Sequence, residues 1–261
     1  SQLCSFGTTC LTAAAQAAAP GQPLVDFIRG DRSNEGPLSD TSKYYRQRAS
    51  RLGDIVNSEA LYVKSALYNY ADAGYSSFKS GTATRRAMVY VGSNDGMLHA
   101  FDASNGTEVW AYVPTMIIPK LYRLADKNYG NNHEFFVDGS PVSGDIWDGS
   151  SWKTILVGGL GAGGRGYYAL DVTDPNNPKA LWEFTDNNLG LTLGKAEITK
   201  LKDGTWVVIF GSGYNNVSPG DGRGRLYVLR ARDGQLIRTI ETISPTGTHV
   251  GDTTTPSGLA Q

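Results

Sequence analysis

The sequence predicts an all-β chain whose short strands form consecutive four-stranded meanders. This is a partial β-propeller of about three four-stranded blades plus the start of a fourth, with short helical insertions. Three observations carry the prediction. There are 32 glycines and 14 tyrosines against three methionines in 261 residues. Runs of Val, Thr and Tyr between glycine turns favour strands. Above all, the chain repeats itself, and a repeat is read before any single motif.

The first copy spans 88–102, then Asn105-Gly106, then Glu108-Val109-Trp110. The second spans 154–159, a glycine-rich turn, 166–171, a Pro/Asn turn and 180–184, which includes Trp182. The third spans 206–213, a polar loop, 224–230, Asp233-Gly234 and 236–240. Each reads as an apolar run, a glycine turn, an alternating strand, a second turn and a closing strand. The apolar run suits a strand buried on both faces, and the alternation in Leu98, Ala100 and Asp102 places the next strand further from the centre. One more strand fits ahead of each meander, at 54–63, 140–147 and 195–201. Asp102, Asp171 and Arg230 lie 69 and 59 residues apart, wider than the ~40–45 of a WD-type blade, so loop insertions are expected.

Residues 1–50 accordingly read as an N-terminal linker or extension, and 51–261 as the partial propeller. Its blades fall at 54–113, 139–184 and 194–241, with a fourth beginning at 248–261. Three blades do not close a ring of ~4 to 8, so a longer parent or a partner molecule is expected to supply the rest. The stretch 116–126 has helical spacing at Ile117, Leu121 and Leu124 and is expected to cover the propeller edge.

With 24 basic and 25 acidic residues, no global field draws the protein to nucleic acid. The most basic stretch, 43–51 with Tyr44 and Tyr45, reads as a solvated helix face or strand lead-in. No apolar run reaches 18 residues, so direct membrane insertion is not expected. The Ala-rich stretch 12–19 lacks a signal peptide's basic start, which places targeting information outside these residues. Cys4 and Cys10, with neither His nor further Cys nearby, suit a small disulfide loop of an exported protein. A metal site or unpaired thiols are the alternatives.

Gly159-Leu160-Gly161-Ala162-Gly163-Gly164 matches a dinucleotide fingerprint letter for letter. The fingerprint works by opening a helix onto pyrophosphate, whereas 167–172 alternates as a strand. A flexible inter-strand turn is the reading adopted. His99, His133 and His249 are far apart in sequence and form no catalytic constellation. His133 and Asp138 are read as ordering the loop between blades one and two. No catalytic, cofactor-binding or metal-ligating residue is assigned, and no EF-hand-type calcium loop is present. Arg29-Gly30-Asp31 is a receptor-binding candidate for an integrin or matrix protein, weighed against a plain turn closed by an Arg–Asp contact.

Ala100-x-Asp102-x-x-Asn105-Gly106-x-x-x-Trp110 resembles the outer-strand motif of quinoprotein-like propellers. There the Asp-to-Gly stretch makes the turn and the Trp covers the next blade. Asp171 and Trp182 are the second-blade counterparts, whereas Arg230 and Arg238 depart from the pattern in the third. The motif keeps two rival functions in view. One is a quinone-cofactor dehydrogenase, which needs a complete ring with cofactor and calcium at its axis. The other is a scaffold for outer-membrane assembly.

The phrases at 89–102, 133–141 and 158–175, with 24–31 and 51–58 upstream, together resemble the PilC/PilY family of type IV pilus tip adhesins. The resemblance covers 24–261. It implies a non-catalytic exported protein at the pilus tip, cell surface or outer membrane. Such a protein acts in pilus biogenesis, twitching motility and adhesion by docking minor pilins. It also implies an adhesive region ahead of the propeller and a calcium loop. Neither is found in this sequence, so calcium is expected only in the complete parent protein.

Overall fold

The computed structural model describes Leu3 and residues 10–259. Near its start, Thr12 Oγ1 accepts from the Ala15 amide at 3.2 Å and caps helix α1 (Ala13–Ala18). Helix α2 (Gln22–Ile28) has Pro23 in its first turn, where a missing N–H costs nothing. Two short strands, β1 (Glu35–Gly36) and β2 (Tyr45–Arg46), pair in parallel. Phe27 and Tyr45, 2% and 1% exposed, enter the same core as Met88 and Leu98. The described part of the stretch expected as a linker or extension thus packs onto the first blade. Nor is 43–51 a solvated face, because Arg48 is buried against Glu35 at 2.6 Å and donates to the carbonyls of Phe27 and Asp31, both at 2.8 Å.

Three antiparallel four-stranded sheets follow, each in simple chain order. The first holds β3 (Leu61–Val63), β4 (Met88–Ser93), β5 (Met97–Asp102) and β6 (Glu108–Tyr112). The second holds β7 (Val142–Trp147), β8 (Trp152–Gly159), β9 (Tyr167–Asp171) and β10 (Lys179–Phe184). The third holds β11 (Glu197–Lys200), β12 (Trp206–Gly211), β13 (Arg225–Arg230) and β14 (Leu236–Glu241). Strand β3 is shorter than the expected 54–63, because the residues before it bond across the blade junction instead. The Asn57 amide donates to Asp138 Oδ1 and Ser58 Oγ donates to Gly139 O, both at 3.1 Å.

The outer pair of every sheet slips register at one equivalent place: between Ala100 and Phe101, between Ala180 and Trp182, and between Val228 and Leu229. One extra residue there sharpens the twist of the outermost strand.

The core lies in the seams between sheets. In β8 and β9, Leu156, Tyr168 and Leu170 face the first sheet, while Ile155, Val157, Tyr167 and Ala169 face the third. The middle sheet is thus buried on both faces, as period-two alternation allows. On β14, by contrast, Leu236, Ile237 and Ile240 are exposed. Between β3 and β4, helix α3 (Tyr75–Thr82) covers the second seam, with Tyr75 Oη donating to the buried Asp145 at 2.7 Å. The expected edge helix is a 3-10 helix, Thr115–Ala125, with Ile117, Leu121 and Leu124 buried.

Candidate functional site: the inter-blade seams and the exposed loop

Asp102 closes the β5–β6 turn. Its Oδ1 accepts from the Ser104 hydroxyl and amide at 2.6 and 2.8 Å, and its Oδ2 from Arg86 Nε at 2.6 Å. The Ser104 hydroxyl, then its amide and Arg86, hold the carboxyl at about 2. Gly106 completes the turn at φ +73°, in the left-handed region that glycine enters freely. From the strand beyond, Trp110 Nε1 donates to Pro175 O in the next blade's outer turn at 2.8 Å.

The second sheet repeats the device. Asp171 Oδ1 accepts from the Thr173 amide at 2.9 Å, and Trp182 Nε1 donates to Ala231 O at 2.8 Å. The Trp182 ring lies so close over Gly234 that a Cβ there would sit 2.7 Å from Cγ. In the third sheet Arg230 pairs with Asp233 within the turn at 2.7 Å, and Arg238 replaces the tryptophan on an exposed strand.

A second repeated device lies at the end of each second strand. A Cβ on Gly92 would fall 2.4 Å from Val137 O, one on Gly159 2.9 Å from Thr192 O, and one on Gly211 2.1 Å from Leu259 O. Each glycine admits the backbone of the connection leading away from its blade. Residue 259 therefore stands where Val137 and Thr192 stand ahead of β7 and β11. The Gly159–Gly164 turn belongs to this junction and is packed, not flexible: the buried Thr192 hydroxyl accepts from the amides of Leu160 and Gly161 at 2.9 and 3.2 Å. The strand β9 follows it, with no helix N-terminus for a pyrophosphate.

Asp138, 1% exposed, accepts from Asn57 N and Nδ2 at 3.1 and 2.6 Å, and His133 Nε2 lies 2.9 Å from Asp54 Oδ2. Both tie the first blade's lead-in to the connection after it. His99 is buried on β5 between two carboxylates, Asp95 at 3.0 Å and Glu108 at 2.8 Å. Burial opposes its charge, but the bonds to Asp95 and then Glu108 outweigh it and raise its pKa above the ordinary value. Sequence spacing alone shows Asp95 and His99 as an i, i+4 pair and gives no sign of Glu108. Among the described residues, no group of three or more His, Cys, Asp or Glu is placed to hold a metal ion, and no described helix is long and apolar enough to cross a membrane.

Arg29 and Asp31 are exposed where α2 ends, with Gly30 between them at φ +103°. Their backbone is held by Arg51 Nε donating to Gly30 O at 2.9 Å and Arg48 Nη2 to Asp31 O. The expected Arg29–Asp31 contact is not formed, because the Asp31 carboxylate accepts from Ser33 instead, its amide at 2.8 Å. Arg29 is left facing water. Cys10 is disulfide-bonded, and Cys4 lies outside the described residues.

Chain-ordered four-stranded sheets, a shared outer bulge and a tryptophan bonded to the next blade's turn define a quinoprotein-like β-propeller. A family model described as the PilY1 beta-propeller domain matches residues 52–259, and the chain belongs to that family. It is 40% identical over 251 residues to a type IV pilus biogenesis factor, PilY1, of Pseudomonas aeruginosa strain PAK, covering 92% of this chain and 20% of the relative. It is 45% identical over 205 residues to a PilY1 homolog of Xylella fastidiosa, covering 74% and 16%. The crystal structure of the Pseudomonas aeruginosa PilY1 C-terminal domain superposes with a TM-score of 0.61 at 36% identity, over 77% of this chain and 39% of that one. The chain thus spans about a fifth of the length of its first curated relative. These relatives are named as pilus biogenesis factors, not as enzymes.

Proposed function

We propose that this chain is a non-catalytic propeller segment of a type IV pilus-associated protein. It acts at the exported pilus tip or cell surface, in pilus biogenesis, twitching motility and adhesion, by docking minor pilins. The observation that carries the reading is the 40% identity over 251 residues to a named pilus biogenesis factor. The seams give it a physical basis: the conspicuous aromatic side chains hold blades together, leaving loops and edges for recognition. Further blades of the full-length protein are the natural cover for the exposed apolar residues of β14. Calcium control is assigned to parts of that protein outside these residues.

The test is piliation. In a strain lacking the full-length gene, the wild-type copy restores surface pili, and a copy carrying Trp110→Ala and Trp182→Ala restores few. Full restoration by a copy with this propeller segment deleted would sink the proposal. A second reading, host-receptor binding through Arg29-Gly30-Asp31, is favoured by the exposure of both charged side chains on a pinned backbone. An Asp31→Ala variant that bound an integrin as well as wild type would remove it.

A further inference from the structure

A cleft of about 290 Å³ lies between the N-terminal segment and the first blade. The charged and titratable side chains on its walls are Arg46, Arg48, Arg51, Asp54, Asp95, Tyr129 and His133. Most are already satisfied. Arg48 is paired with Glu35 at 2.6 Å. Asp54 accepts from His133 Nε2 and Asn94 Nδ2, both at 2.9 Å. Asp95 accepts from His99 Nε2 at 3.0 Å and the Gly53 amide at 2.8 Å.

Two guanidinium groups are not. Arg46 lies over the Tyr129 ring, 4.5 Å from its centroid, and donates from Nε to Leu124 O at 2.6 Å. Among the described residues no carboxylate pairs with it, and its terminal nitrogens have no acceptor. Arg51 donates to Gly30 O at 2.9 Å and, with Asp31 acting on it only at longer range, makes no ion pair in contact among the described residues. Burial of Arg46 is strong enough to lower its pKa, and nearby negative groups do not make up the loss. A half-buried cation with no carboxylate in contact is unfavourable. Its free edge presents the planar fork that a carboxylate matches with two parallel hydrogen bonds. Asp54 and Asp95 on the same wall disfavour a multiply charged anion.

We propose that this cleft binds a single carboxylate of a peptide partner, seated on the terminal nitrogens of Arg46 with Arg51 at its mouth. The site is independent of the pilus reading. The carboxylate can be the partner's C-terminus or an acidic side chain, and calorimetric titration of the purified protein separates them. Three probes are used: an N-acetylated pentapeptide with uncharged side chains and a free C-terminus, its C-terminal amide carrying one internal glutamate, and inorganic phosphate. At least one carboxylate probe binds saturably, and phosphate binds about tenfold more weakly or not at all. Arg46→Met weakens the carboxylate by about tenfold or more, the loss of a charge-assisted pair. Should Arg46→Met fail to fold, Arg51→Gln still weakens the carboxylate by about threefold. Absence of saturable carboxylate binding to wild type, phosphate binding as tight as carboxylate, or unchanged affinity in the variant that folds would each overturn the proposal.

Discussion

Trp182 couples two sheets through one residue, with its ring on Gly234 and its indole N–H on Ala231 O. Trp182→Ala is expected to cost about 3–5 kcal/mol in urea unfolding. Trp182→Phe, which keeps most of the packing and loses the hydrogen bond, should cost about 1 kcal/mol beyond any repacking. A buried residue of opposite temper is His99. Its folded pKa lies above the ordinary 6.5, so its contribution is fully present below that value and is lost as pH rises through the folded pKa. Stability should therefore fall on going alkaline from pH 6.5, by at most about 1.4 kcal/mol per pH unit for one proton. The decline should be absent in His99→Gln, measured as melting temperature against pH. The tryptophans are readable from sequence because an outer-strand motif flags them. His99 is not, because its second carboxylate, Glu108, comes from the neighbouring strand through cross-strand placement.

Strands announce themselves where burial is two-sided. The runs of β4, β8 and β12 stand out because their residues are buried almost in succession, in β8 with a seam on each face. Short inner strands and the edge insertion are less legible. β3 is cut to Leu61–Val63 by bonds from the Asn57 amide and side chain and the Ser58 hydroxyl to the far connection. The edge helix takes the 3-10 form around Pro119, with its N-terminal amides of Thr115 and Met116 received by Glu183 of the second blade at 2.6 and 3.0 Å. The glycine-rich turn looks flexible as a string of letters, yet those glycines exist for close backbone approach. Gly159→Ala should cost about 1–3 kcal/mol, since its Cβ meets the Thr192 carbonyl at 2.9 Å and the buried Tyr167 ring at 3.0 Å. Gly106→Ala, with open space but φ +73°, should cost about 1 kcal/mol. Urea midpoints of the two variants decide whether approach or conformation governs each glycine.

At the scale of the molecule, the sheets form a radial series joined by two repeated devices, the tryptophan bond and the glycine junction. The repeat makes the architecture legible. The N-terminal segment carries no repeat, so its folding onto the first blade through Phe27, Tyr45 and Arg48 shows only in the three-dimensional contacts. With no metal-binding cluster among the described residues, the melting temperature of this protein should be the same in millimolar calcium and in chelator. A rise of several degrees with calcium would place a site here.

The pilus assignment itself is tested most directly by capture of minor pilins on the purified full-length protein, with and without calcium. Minor pilins are expected to be recovered, and recovery is expected to drop when Trp110 and Trp182 are both replaced by alanine. Recovery of no minor pilin under either condition, with quinone-dependent dye reduction by the same preparation, would contradict the assignment.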